Sequence, residues 1–115
     1  MMNISKLAAA GVDYEDGLNR FCGKEELYQK YILRFPQQKE YHQLLAAIGK
    51  KDCKEAFEYA HALKGITGNL SFIELRKILT ELTEELKSGN LEAAGKYVPM
   101  LEKEYQALVE IIEEQ

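Results

Sequence analysis

Apolar residues recur every three or four positions along most of the chain, which is the spacing of one face of an α-helix. The clearest stripe consists of Leu75, Ile78, Leu79, Leu82 and Leu86. Similar stripes follow Lys24, Asp52 and Asn90, and no stretch alternates polar and apolar residues for long enough to predict a strand. The pattern therefore predicts an all-α fold, an antiparallel four-helix bundle with an additional short N-terminal helix beside it.

Capping residues and glycines indicate where the helices begin and end. Asp13 predicts the start of the short N-terminal helix and Gly23 its end, while Asp52 and Asn90 are suited to cap two of the long helices. The segment Ser71–Glu74 has the Ser-x-x-Glu spacing of a capping box, which predicts the start of another helix at Ser71.

Two prolines interrupt otherwise continuous stripes. Pro36 follows the stripe that ends at Phe35, and Pro99 lies within the last stripe. Proline removes a backbone hydrogen-bond donor and disfavours helical angles in the residue before it. The sequence leaves open whether each helix is kinked or divided into two.

Length and charge restrict the functions that the chain can have. At 115 residues it fits a single domain spanning 1–115, and a net charge of −4 disfavours nucleic acid as a partner. No apolar run reaches the roughly 18 residues of a membrane span, and the start lacks the features of a signal peptide. Two cysteines without an export signal suggest a cytoplasmic protein. We expect a monomer, since one bundle can bury every stripe.

The helix that follows Asp52 has glycines in its interior, each of which costs about 1 kcal/mol relative to alanine. At about 100° per residue, Lys64, Gly65 and Gly68 lie within about 60° of His61 on the helix surface. Leu63 lies roughly 200° from His61 on the same projection, so the core-facing side is opposite the histidine. The two glycines are thus expected to remove side chains around the imidazole ring.

This arrangement suits phosphoryl transfer. A neutral imidazole is a nucleophile near pH 7, and phosphoryl transfer requires positioning and positive charge near the phosphoryl oxygens. Lys64 can supply that charge, and the glycines can admit a large convex partner to His61. The alternative is a surface histidine on a helical adaptor that carries no phosphoryl group.

The segment Ala60–Leu70, with the sequence AHALKGITGNL, resembles the signature of histidine-containing phosphotransfer (HPt) domains. The segment Gly17–Tyr28 is similar to the first helix of many such domains. The resemblance implies that His61 is phosphorylated, that Lys64 is the nearby cation and that Gly65 leaves room for the partner.

The resemblance also implies a function for the whole chain. It predicts a phosphorelay intermediate that accepts a phosphoryl group from a receiver aspartate and passes it to another receiver aspartate, without ATP-dependent kinase activity of its own. Its partners would be response-regulator receiver domains, a sensor histidine kinase, or both. We expect no cofactor or metal in this chain, and Mg²⁺ would be bound by the receiver. Two alternatives remain: an HPt domain derived from a chemotaxis-type or hybrid kinase and phosphorylated directly by the kinase, or a non-catalytic adaptor.

Four further positions, within or near the signature, bear on how the site would work. Ser71 stands where HPt domains commonly have glycine, which the predicted capping box would explain. The family's Gln or Glu that hydrogen-bonds the imidazole falls near Thr83, so that either Thr83 or Glu84 is a candidate for orienting His61. Phe57, one helical turn before the histidine, either packs inside the protein or is exposed and contributes to docking.

Overall fold

The computed structural model describes residues 2–115 and confirms the all-α fold: these residues contain no strand, only an isolated bridge between Val12 and Phe72. The helices are α1 Ile4–Ala9, α2 Tyr14–Arg20, α3 Glu25–Arg34, α4 Glu40–Gly49, α5 Cys53–Asn69, α6 Ile73–Lys87, α7 Leu91–Gly95 and α8 Val98–Glu113.

The long helices form the bundle, with α5 packed between α4 and α6 and with α8 packed against α6 and α3. One hydrophobic core lies between them. Its largest fully buried side chains are Tyr28, Phe35, Phe72, Leu7, Ile32, Leu44, Leu63, Leu79, Leu82, Leu101, Leu108 and Ile112. Short connections between consecutive helices make neighbouring helices antiparallel. No helix within residues 2–115 has both the length and the apolar character needed to cross a membrane.

Both prolines divide their helices. Pro36 lies in a short 3₁₀ turn, Phe35–Gln37, after which Gln38 is extended with φ −69° and ψ 137°. Pro99 lies in the first turn of α8, and the break that separates α7 from α8 is at Lys96 and Tyr97. A first turn tolerates proline because its N–H groups have no partner within the helix.

Three of the predicted caps are present. The side chains of Asp13, Asp52 and Asn90 each accept a hydrogen bond from the backbone N–H three residues later, at 3.1, 3.0 and 3.1 Å. Helix α1 was not predicted. It begins at Ile4, directly after Asn3, whose side chain caps it, and it buries Leu7 in the core.

The predicted capping box at Ser71 is wrong. Ser71 instead has a positive φ of 58° and follows Leu70, the C-cap residue of α5; there the N–H of Phe72 donates to the carbonyl of Thr67 at 2.9 Å. This is the Schellman arrangement, in which glycine is the usual residue because it has no Cβ to clash. The buried Ser71 hydroxyl donates to Asp16 Oδ2 at 2.6 Å rather than to a helix end.

Candidate functional site

His61 lies near the middle of α5 with its side chain exposed to solvent. The opposite face of the same helix is buried, and there Ala60, Leu63 and Thr67 have at most 1% of their surface exposed. The helical projection thus gave the correct orientation of the histidine. No side-chain hydrogen bond of His61 is present within residues 2–115.

The ring of Phe57 packs against the imidazole of His61. The two ring centroids are 5.8 Å apart and the ring planes are inclined by 16°, which is a stacked geometry. Phe57 is half-buried and also contacts the hydrophobic core. Its ring therefore supports the imidazole from one side and leaves part of its own surface accessible. Its contribution to docking stays a prediction.

A shallow depression of about 260 Å³ lies next to the histidine. Its lining residues are Arg20, His61, Lys64, Gly65, Gly68, Asn69 and Arg76. The structure thus brings together all four residues proposed for the core of the site, and it adds two arginines from α2 and α6 that the sequence analysis did not identify. With Lys64, these arginines give three cationic side chains along the depression that His61 also lines, in a chain whose net charge is −4.

The two glycines of α5 have different surroundings. A Cβ built on Gly65 would have no heavy atom within 4 Å, so this position opens directly to solvent. A Cβ on Gly68 would lie 2.8 Å from Nε and 3.2 Å from Cδ of Arg76. Gly68 therefore makes room for a side chain of the protein's own α6, rather than simply clearing space beside the ring as expected.

The cations of the site differ in how they are held. Arg20 donates from Nε to Asp16 Oδ2 at 2.8 Å, and the same carboxylate oxygen accepts the hydroxyl of Ser71. The Ser71 hydroxyl and, after it, Arg20 hold the pKa of Asp16 below its ordinary value of 3.8. Within the described part of the chain, Lys64 and Arg76 form no ion pair with a carboxylate. Their charges are thus available to an anion.

Neither candidate for orienting the imidazole contacts it through a hydrogen bond within residues 2–115. Thr83 is 97% buried and its Oγ1 has no hydrogen-bond partner there, whereas Glu84 is exposed. Helices α5 and α6 run antiparallel, and the approach of Arg76 to Gly68 sets their register. Counted from that contact, Thr83 is at about the same level along the bundle as His61, but Thr83 is buried and His61 is exposed. The orienting role of Thr83 or Glu84 stays a prediction.

The remaining titratable groups do not form a second site of this kind. No group of three or more His, Cys, Asp or Glu side chains within residues 2–115 is arranged to hold a metal ion. The other histidine, His42, is exposed on α4, where its ring lies 5.1 Å from that of Tyr41 and 6.3 Å from that of Tyr105.

The two arginines differ in whether the sequence carries any signal for them. Arg20 belongs to the segment Gly17–Tyr28, whose resemblance to the first helix of known domains implies no specific role for Arg20. Arg76 lies on α6, eight residues after Gly68, with no sequence pattern that connects it to the histidine. Only the packing of α6 against α5 brings its guanidinium to the site.

Comparison with known families gives one match. A family model described as Hpt domain matches residues 33–111, a range that includes His61, Lys64, Gly65, Gly68 and Arg76 and leaves Arg20 outside. Comparison with curated proteins and with solved structures gives no match.

Proposed function

Because this chain belongs to the Hpt domain family, whose members are phosphocarrier modules of two-component signalling, we propose that His61 is its phosphorylated residue. The observation that carries the proposal is the exposed imidazole beside a depression lined by Arg20, Lys64 and Arg76. In the proposed relay, His61 accepts a phosphoryl group from the aspartyl phosphate of one receiver domain and passes it to the aspartate of another.

The chemistry of this step balances without a further reactant. The unprotonated nitrogen of the His61 ring attacks phosphorus, an N–P bond forms, and the bond between phosphorus and the aspartyl oxygen breaks. The aspartate leaves as a carboxylate with the bonding electron pair. The other ring nitrogen keeps its proton, and the imidazole acquires the positive charge. The step reverses when the next receiver presents its own carboxylate.

The neighbours of His61 supply positioning and charge. The Lys64 ammonium would attract the phosphoryl oxygens, and the open surface at Gly65 would let the receiver approach in line with the ring. The stacked ring of Phe57 restricts the rotation of the imidazole and would offer apolar surface to the partner. Either Thr83 or Glu84 would orient the imidazole once a partner is docked. Mg²⁺ would be bound by the receiver, and this chain would require no cofactor.

In this proposal residues 1–115 act as one domain, which is supported by the packing of α1 on α8 and by the ion pair between Lys6 and Glu114, the residue after α8. The protein would work as a monomer in the cytoplasm, and its net charge of −4 favours protein partners over nucleic acid. Light scattering at the working concentration tests the monomeric state.

The decisive experiment replaces each histidine in turn. We expect His61→Gln to abolish labelling of the folded protein by a phosphorylated receiver domain, because glutamine keeps the size of the side chain and removes the nucleophile. The matched control, His42→Gln, should take up label as the unaltered protein does, since His42 lies on another helix. The label is scored as acid-labile and base-stable phosphate, and circular dichroism verifies the fold.

Label that persists on His61→Gln would overturn the assignment of His61. Absence of label on the unaltered protein with every receiver of the same cell would favour the non-catalytic adaptor. A parallel reaction with sensor kinase and ATP, but without a receiver, separates a relay intermediate from an HPt domain that a kinase phosphorylates directly.

A further inference from the structure

Arg76 is one of two cations of the site, with Arg20, that lie outside the histidine signature. It belongs to α6, yet its side chain extends across α5 and lines the depression that His61 also lines. Its Nε and Cδ occupy the space where a side chain at position 68 would begin. The absence of a Cβ at Gly68 is therefore what allows the guanidinium to reach the neighbourhood of the imidazole.

A guanidinium that makes no ion pair is a suitable ligand for phosphoryl oxygens. Arginine presents several N–H donors in a planar fork, which matches the oxygens of a phosphoryl group better than a single ammonium does. Within residues 2–115, Arg76 forms no ion pair with a carboxylate, whereas its neighbour Lys77 pairs with Glu74 at 3.5 Å. The two adjacent cations of α6 thus differ in their availability to an anion.

A second arginine reaches the same depression in a more restrained way. Arg20 of α2 is fixed by Asp16, and Asp16 is fixed by the buried Ser71 at the turn between α5 and α6. Within residues 2–115 its guanidinium is hydrogen-bonded through Nε alone, so that its terminal nitrogens can donate to an anion. The site therefore combines a cation that has no ion pair within residues 2–115, Arg76, with a cation that is ion-paired, Arg20.

We propose that Arg76 binds the oxygens of the phosphoryl group carried by His61, with Arg20 as a second ligand, and that Gly68 serves to seat Arg76. This role rests on the proposed function of His61 and adds two phosphoryl-binding residues to it. The ligand is a phosphoryl dianion, which the site meets both on the incoming aspartyl phosphate and on the phosphorylated imidazole.

The first test compares neighbouring cations on α6. We expect Arg76→Ala to slow receiver-dependent labelling of His61 by about tenfold, which is below the effect of a donor in a closed active site because this site is open to water. Arg76→Lys should recover part of the rate, since it restores the charge but not the fork. The matched control, Lys77→Ala, should leave the rate unchanged.

The second test uses Gly68, because it separates a role in transfer from a role in stability. Gly68→Ala should raise the thermal midpoint, since alanine favours the helix and a flexible side chain can move away from the new methyl group. The same variant should slow labelling by displacing Arg76. In the Arg76→Ala background, Gly68→Ala should have little further effect on the rate, because the residue it displaces is already gone.

The outcomes distinguish this inference from the proposed function. If the unaltered protein takes no label, the function of His61 fails. If the unaltered protein is labelled and Arg76→Ala is labelled as quickly as Lys77→Ala, only the role of Arg76 fails. If the effects of Gly68→Ala and Arg76→Ala on the labelling rate were fully additive, the assignment of Gly68 as the seat of Arg76 would be overturned. The affinity of Arg76→Ala for the receiver, measured separately by titration calorimetry, must stay within about twofold of the affinity of the unaltered protein. A larger loss of affinity would assign Arg76 to the docking interface instead.

Discussion

The two faces of α5 differ in what their residues contact. One face consists of Ala56, Ala60, Leu63 and Thr67, which are buried and pack into the core. The other face carries His61, Lys64, Gly65 and Gly68. The side chain of His61 is exposed, and Gly65 has open space beside it. A single helix thus contributes to stability through one face and presents a nucleophile on the other.

This difference means that stability and phosphoryl transfer can be changed separately. Because the site face contains little buried apolar surface, substitutions there remove few packing contacts. Substitutions on the core face do remove packing, yet they leave the atoms around His61 in place as long as the protein folds. Each of the following changes tests that separation.

The largest effect on stability is expected at Leu63. This side chain is 99% buried, and Leu63→Ala leaves a cavity in the core. We expect a loss of about 3 kcal/mol in the free energy of unfolding, measured by urea denaturation. Labelling per folded molecule should stay unchanged at a temperature where the variant is folded. A large loss of labelling in the folded variant would show that the two faces are coupled.

The largest expected effect of a glycine substitution on transfer is at Gly65. Gly65→Gln places a long side chain in open space next to His61 and should slow receiver-dependent labelling by about tenfold, or about 1.4 kcal/mol in activation free energy. Its thermal midpoint should not fall, since glutamine is the better helix former. Gly49→Gln is the matched control, because Gly49 is an exposed helical glycine that also has no heavy atom within 4 Å of its built Cβ. Equal labelling of both variants would contradict the docking role of Gly65.

A smaller effect, of opposite sign, is expected at Thr83. Its buried hydroxyl has no hydrogen-bond partner among residues 2–115, so Thr83→Val should stabilise the protein by about 1 kcal/mol. Thr80→Val serves as the control, since the hydroxyl of Thr80 donates to the carbonyl of Arg76 at 2.7 Å and its loss brings no such gain. Labelling of Thr83→Val decides between the two orienting candidates: slower transfer assigns that role to Thr83, and unchanged transfer excludes it.

The smallest effect on stability is expected from protonation of Asp16 at low pH. Hydrogen bonds from Ser71 and Arg20 lower the pKa of Asp16 in the folded protein, so its carboxylate stabilises the fold above the unfolded value of about 3.8. That contribution is lost as the pH falls through the lower folded pKa. Unfolding curves of the unaltered protein and Asp16→Asn should therefore converge on going from neutral pH to below 3.8. A constant difference between them would contradict the pKa shift.

The helical fold could be predicted because the apolar stripes are long and regular. Helix α1 could not, since six residues with Leu7 as the buried one carry too little periodicity, and its stability depends on packing against α8. Whether the prolines bend or divide a helix depends on where each neighbouring helix begins. That boundary is set by packing as well as by propensity.

The core of the candidate site could be proposed because His61, Lys64, Gly65 and Gly68 are local on one helix. The capping box failed because the Ser-x-x-Glu pattern does not reveal that the Ser71 hydroxyl is used by Asp16, 55 residues away. The two arginines could not be assigned for a similar reason. Their approach to α5 depends on how separate helices pack, and the periodicity of apolar residues along one segment does not indicate that packing.

The link from Ser71 through Asp16 to Arg20 has a consequence for protein engineering. A designer who grafts only the α5–α6 hairpin onto another scaffold would carry over the imidazole, the lysine and Arg76, because all three belong to that hairpin. The cation contributed by α2 would be left behind. A transplanted module needs both α2 and the turn between α5 and α6. Ser71 in that turn hydrogen-bonds Asp16, and Asp16 holds Arg20.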